Sequence, residues 1–224
     1  MKGFTLIELM VALFIMSIAT VLLLANYPDS TIRMALLNST HTFALQIREA
    51  QIRGSAVDSA SSTAGGYGVL IDSANSLQSI LFSDNVNRLD GSIVKNSSGF
   101  PVGDGLYDKA ISPTDAIKST IILKERFSFG KLCVASTTAL ESMGSPTPQK
   151  FLCSTVNAKP ISTLTISFIR PSQVAHMYIN GTTTADFESA CIQLFSPKTP
   201  NPGHIRSVRV FHSGVITTTA TSCN

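Results

Sequence analysis

The sequence predicts an α+β protein in which one long N-terminal helix, apolar at first and amphipathic after, packs on an antiparallel β-sheet head. Three observations carry that prediction. Phe4 to Ala25 is an apolar run holding a single carboxylate, Glu8. From about Thr31 to Arg53 apolar side chains recur at helical intervals, and beyond Gly54 the pattern changes to short alternating runs separated by Ser-, Thr-, Asn- and Pro-rich stretches.

Phe4 to Ala25 is long enough to cross a bilayer's hydrocarbon core as a helix rising about 1.5 Å per residue. Glu8 is costly in that setting. A charge at the centre of such a helix costs roughly 2.5–3.5 kcal/mol, less near an end, so one that is kept implies a partner. Lys2 lies on the side that the positive-inside rule assigns to the cytoplasm, which puts the bulk of the chain outside. Two plainer readings stay open on these residues alone. A secretory signal peptide could use Ser17-Ile18-Ala19 as its cut, although Glu8 spoils the apolar core and Leu22-Leu23-Leu24 continues past it. A simple membrane anchor would need neither the glutamate nor the Gly3-Phe4 junction.

Asn26-Tyr27-Pro28-Asp29-Ser30 is expected to interrupt the helix where it leaves the membrane, kinking or locally melting it, because Pro28 lacks a backbone donor and clashes with the preceding turn. A second helical stretch then places Ile32, Leu36, Phe43, Ile47 and Ala50 on one face, the pattern of a helix lying on a sheet. Gly54 and Ser55 are expected to end it. Arg48, Glu49 and Arg53 fit a solvated helix face with a cation near the C-terminal end of the dipole.

In the head, Tyr67–Ile71, Ser79–Phe82, Ile121–Leu123 and Phe127–Phe129 read as strands, followed by Thr163–Phe168, Ala190–Phe195 and Ile205–Phe211, with a short strand after Gly214. The clearest alternation puts Leu164, Ile166 and Phe168 on one face and hydroxyls on the other. Residues 96–104, 137–149 and 196–203 read as polar loops.

Composition agrees with one exported domain on an anchor. The formal net charge of +3 is too small to imply nucleic acid by itself. Four cysteines, Cys133, Cys153, Cys191 and Cys223, all lie in the distal part, as suits an oxidising compartment. Three pairings are open. Cys133 with Cys153 and Cys191 with Cys223 is favoured, since the first would bracket a proline-containing loop and the second would pin the C-terminal tail to a strand. The absence of C-x-x-C spacing argues against zinc. Nor is there a G-x-S-x-G elbow, an H-E-x-x-H or a phosphate-cradling glycine loop, so no catalysis, cofactor or metal is expected. His41, His176, His204 and His212 are scattered. Asp84 with Asp90, or Asp104 with Asp108, could form a carboxylate pair, but each reads as part of an acidic loop.

The opening Met1-Lys2-Gly3-Phe4-Thr5-Leu6-Ile7-Glu8-Leu9 resembles the prepilin signature of type IV pilins and type II secretion pseudopilins. The resemblance implies cleavage between Gly3 and Phe4 by a prepilin peptidase, methylation of the new Phe4 amine, and a role for Glu8 in neutralising a neighbouring subunit's N-terminal amine during filament assembly. Pairing would offset the cost of the buried charge. Pro28 matches a proline that the family carries near the same depth. Leu45 to Val57, with its Arg48-Glu49-Ala50-x-x-Arg53-Gly54 core, is similar to the GspH and FimT class of minor subunits, as is the distal order of strand, polar loop, strand, glycine, short strand.

The chain accordingly divides into a leader (1–3), a transmembrane and filament-core helix (4–25), an amphipathic half (26–54) and a β-rich head (55–224). The function implied is a minor pilin or pseudopilin, held in the inner membrane with its head exported and then assembled into a type IV pilus or secretion pseudopilus. Its implied partners are other pilins, the prepilin peptidase, the inner-membrane assembly platform and the membrane. A major pilin is one alternative. A FimT-like DNA-binding subunit is another, with His204, Arg206, Arg209 and His212 as candidate contacts near Lys198. Arg206 and Arg209 would point to opposite faces of a regular strand and could share a patch only across a bulge. The family's Gly-Arg-x-Arg motif is also missing, since Gly214 is followed by Val215-Ile216-Thr217-Thr218.

Overall fold

In a computed structural model, residues 5–56, 64–85, 103–107, 115–123, 126–136, 152–153, 161–169, 173–181, 187–197 and 202–223 are described, with backbone alone at 25–28, 64, 152 and 202. A 50-residue helix, α1 (Leu6–Ser55), leads into ten strands. Helix α1 is about 75 Å long at 1.5 Å per residue. It runs through residues 26–30 as one element, so Pro28 does not melt the helix there. A proline's missing donor and ring clash strain one turn, and the long flanking segments on either side suffice to carry the helix across it.

The strands are β1 (Ala64–Asp72), β2 (Gln78–Asn85), β3 (Ala116–Ile122), β4 (Ser128–Ala135), β5 (Leu152–Cys153), β6 (Thr163–Ile169), β7 (Ala175–Ile179), β8 (Ser189–Phe195), β9 (Ile205–Phe211) and β10 (Ile216–Thr219). They form two five-stranded antiparallel sheets, ordered β3-β2-β1-β6-β7 and β10-β9-β8-β4-β5. Every expected strand is present. The short β5 and the mixed β7, with a histidine and a tyrosine among its five residues, were not legible as alternating runs.

The second half of α1 packs against strands of both sheets. Leu36, Phe43, Ile47 and Ala50 are fully buried and share a core with Val69, Ile71, Leu81, Ile166 and Phe168 of the first sheet and Ile192, Val208 and Val210 of the second. Phe43 meets Phe129 of β4 edge to face, with ring centroids 4.9 Å apart. Burying each large apolar side chain contributes roughly 1.5–3 kcal/mol, so this stripe is the main attachment of head to helix.

The helix ends at Ser55, as expected for the Gly54-Ser55 pair, and Gly54 is its penultimate residue. A Cβ there would lie 2.5 Å from the Phe168 carbonyl oxygen and 2.7 Å from Phe168 Cβ, so the residue permits close contact between α1 and β6. The helix ends one residue later, where the Ala56 amide donates to the Ile52 carbonyl. Arg53 pairs with Glu49 at 2.7 Å one turn apart, both about half exposed, which is the solvated face expected. On β6, Leu164, Ile166 and Phe168 face the core as the alternation requires, but Thr165 and Ser167 on the opposite face are buried as well.

Candidate functional site

The first half of α1 contrasts with the second: every side chain described from Thr5 to Leu24 is exposed. Leu6 to Leu24 spans about 28 Å at 1.5 Å per residue, close to the ~30 Å of a hydrocarbon core. Leu6, Leu9, Leu13, Phe14, Val21 and Leu23 are each more than half exposed, and no described residue of the head covers them. Even the hydroxyls of this segment are satisfied internally. Ser17 donates to the Phe14 carbonyl and Thr20 to the Met16 carbonyl, each at 2.8 Å, which removes two donors that hydrocarbon could not accept.

The one carboxylate sits at the tip of this segment in a reciprocal cap. Glu8 Oε2 accepts from the Thr5 amide at 3.0 Å and from the Thr5 hydroxyl at 2.9 Å, while the Glu8 amide donates to Thr5 Oγ1 at 3.4 Å. A carboxylate in the first helical turn also complements the positive end of the helix dipole. The Thr5-x-x-Glu8 spacing is a capping-box signature readable from sequence, and the expectation for Glu8 considered only an intermolecular amine. Glu8 therefore has partners within its own chain and remains exposed to a neighbour. Below it, Ile7, Val11, Ala12 and Ile15 line a shallow apolar groove on the helix surface, with Ala12 leaving room for close approach.

Polar contacts set the position of the head along α1. Ser79 of β2 donates to Gln46 Oε1 at 2.6 Å in a buried pair. Gln51 Nε2 donates to the Gly214 carbonyl at 3.0 Å, just before β10. Nearer the exposed half of α1, Asp29 faces Arg33 at 2.8 Å and His204, in the short turn Pro202–His204 that precedes β9. Among the other histidines, His176 and His212 bring their rings edge to face at 6.1 Å. Among the described residues no group of three or more His, Cys, Asp or Glu is arranged to hold a metal ion.

The four cysteines pair as Cys133–Cys153 and Cys191–Cys223. Strand register makes this instructive. Cys133 of β4 lies directly opposite both Cys153 of β5 and Cys191 of β8, so the four cysteines form one cluster in which Cys133, Cys191 and Cys223 are buried and Cys153 partly so. The first bond fastens the two-residue edge strand β5, and the second fastens the chain's C-terminal residues to central strand β8.

Arg206 and Arg209 lie on β9, which pairs with β8 residue for residue from Ile205 to Phe211 without a bulge. Arg206 shares its face with Val208 and Val210, which are buried in the core, and Arg209 points the other way. These two arginines do not form a common patch. Asp84, expected in a loop, is instead in β2 and almost wholly buried. Gly3, Phe4, Asp90, Asp108, Lys198, the expected loop at 137–149 and the side chain of Pro28 lie outside the described residues.

A family model described as the prokaryotic N-terminal methylation motif matches residues 1–24. No curated protein and no solved structure matches the chain. The motif supports the type IV pilin and pseudopilin class, and the architecture is pilin-like: a long apolar N-terminal helix packed by its distal half against antiparallel sheets.

Proposed function

We propose that the chain is a minor pilin or pseudopilin subunit, cut between Gly3 and Phe4 by a prepilin peptidase, methylated on Phe4 and assembled through α1 into a type IV pilus or a type II secretion pseudopilus. The observation that carries this reading is the half-covered helix: exposed from Thr5 to Leu24, buried on one face from Leu36 to Ala50, and tipped by one carboxylate. The exposed half suits lipid before assembly and other helices after it.

Energetics favour a coupled transfer. Lipid tails are as apolar as leucine, so helices gain little hydrophobic free energy by meeting inside a bilayer, and packing and polar pairing must drive their association. Leaving the bilayer is different. Each large side chain exposed to water instead costs roughly 1.5–3 kcal/mol, so a subunit drawn out by an assembly platform has to bury Leu6 to Leu24 on its neighbours as it leaves. A Phe4 amine brought to Glu8 would replace the Thr5 contacts with a charge pair and match the ends of adjacent helices in register.

For DNA capture, Arg206 and Arg209 offer no shared patch, because they lie on opposite faces of an unbroken ladder. The assembly role is tested with Glu8→Ala in cells producing the filament. The variant is expected to insert and to be cleaved normally, but to be depleted from sheared filaments. Incorporation at the wild-type level would contradict the pairing role.

A further inference from the structure

Asp84 is a buried acid that filament assembly does not use. In β2, Ser79 and Leu81 face α1, since Ser79 bonds to Gln46 and Leu81 joins the helix core. Alternation therefore turns Phe82 and Asp84 to the far face of the first sheet. That face is covered by the turn Gly103-Asp104-Gly105-Leu106-Tyr107. The Gly105 amide donates to Asp84 Oδ2 at 2.7 Å, and the Tyr107 ring sits 5.2 Å from that of Phe82. Asp104 Oδ1 accepts from the Leu106 amide at 2.9 Å and tightens the turn.

The fit leaves no room for side chains. A Cβ on Gly103 would run into the Asp84 carboxyl, and one on Gly105 would run into the Tyr178 ring of β7. Gly105 also adopts φ +83°, a conformation that glycine reaches without strain. Asp84 is 1% exposed beneath this cover. The charged groups set against it are the carboxylates of Asp104, in the turn, and Asp115, which precedes β3 and accepts from the Asn85 amide at 2.8 Å. The phenol of Tyr178 faces it from β7 and is itself pushed up to about 12 by burial, so it stays protonated; burial raises Tyr107 too.

We propose that Asp84 and the turn 103–107 form a proton-controlled clasp, in which neutral Asp84 holds the turn down over Phe82 and Tyr178 and ionised Asp84 releases it. Burial, helped by the repulsion of Asp115 and Asp104, pushes the carboxyl up to about 8, even though amide hydrogen bonds from Gly105 and Asp104 pull the other way. Ionisation thus puts a negative charge into a closed site that already holds two acids. Among the described residues the turn belongs to no strand, and its bond to the sheet is the one from the Gly105 amide to Asp84, so displacing the turn opens the site.

The test is amide hydrogen exchange of the full-length chain in detergent micelles between pH 6.5 and 9.5, with each rate corrected for base catalysis. Protection of Gly105 and Leu106 is expected to fall about tenfold or more across this range in the wild type, while the core of β6 stays protected. Asp84→Asn keeps an oxygen for the Gly105 amide and cannot ionise, so its protection is expected to stay level. Asp115→Asn removes one repelling charge and is expected to move the wild-type midpoint to lower pH, a readout that survives if Asp84→Asn does not fold. Wild-type protection independent of pH, an equal loss in Asp84→Asn, or a midpoint unmoved by Asp115→Asn would each overturn the proposal.

Discussion

The imidazole of His204, 4% exposed, places Nε2 2.5 Å from Oδ1 of Asp29, a residue near the other end of the sequence. Asp29 directly follows the segment where α1 would emerge from the membrane, and Arg33 holds its second oxygen. The head is thus tied to the helix beside its exposed half as well as along the apolar stripe. Asp29 is 42% exposed, so solvent screens the pair and its worth is modest. A double-mutant cycle of Asp29→Ala and His204→Ala, read by denaturant unfolding in micelles, is expected to give a coupling of about 0.5–1 kcal/mol. Additive single effects would show that the contact does not hold the turn 202–204 to α1.

Gly54 is expected to tolerate no side chain. Helix propensity alone would favour alanine by roughly 1 kcal/mol, but its Cβ would stand 2.5 Å from the Phe168 carbonyl. Separating α1 from β6 costs about 1–3 kcal/mol as overpacking, so packing outweighs propensity. Gly54→Ala is predicted to lower the unfolding midpoint and Gly54→Val to lower it further. A stabilised alanine variant would mean that the two elements are not in such close contact.

Asp84 gives the head an unusual pH dependence. Its carboxyl is raised from 3.8 to about 8 in the folded chain, so between these values the folded state holds a proton that the unfolded state has lost. The contribution is therefore fully present below about pH 4, declines as pH rises and is gone above about pH 8, at a slope of at most ~1.4 kcal/mol per pH unit. Subtracting the stability curve of Asp84→Asn from that of the wild type isolates it from the other carboxylates. A difference that stays flat from pH 4 to 8 would remove the effect.

The Cys191–Cys223 bond closes a loop of 32 residues and Cys133–Cys153 one of 20. In the chain-entropy account each is worth about 3–4 kcal/mol. Cys191→Ser with Cys223→Ser is expected to lower stability by that order and to expose β10 to proteolysis, leaving the tail held by its ladder to β9, by Ser207 through Thr219 and Thr221, and by Ser222 on Gln193. An unchanged denaturation midpoint would show that the tail is held by those contacts alone.

Much of this arrangement was legible because the relevant physics is local. The stripe Leu36, Phe43, Ile47 and Ala50 follows from helical period, and Leu164, Ile166 and Phe168 from strand period. Thr5 was legible in principle, as the first member of a capping box. Other features depend on residues far apart in sequence. Asp84 reads as a loop acid because nothing nearby announces that Gly103 and Gly105 will close over it, and the close contact of Gly54 with Phe168 lies beyond any local window. The unbroken helix across Pro28 is a similar case, since the penalty of one residue is judged against the length on both sides. The opposite facing of Arg206 and Arg209 did follow from period alone, once the ladder to β8 proved regular.

Processing at the N-terminus is the step on which the proposed role depends. The most direct measurement is intact mass with N-terminal sequencing of the chain produced together with a prepilin peptidase. The account predicts a mature chain that begins with methylated Phe4 and keeps the apolar helix. A start after Ala19, or an uncut Met1 in the presence of active peptidase, would contradict it.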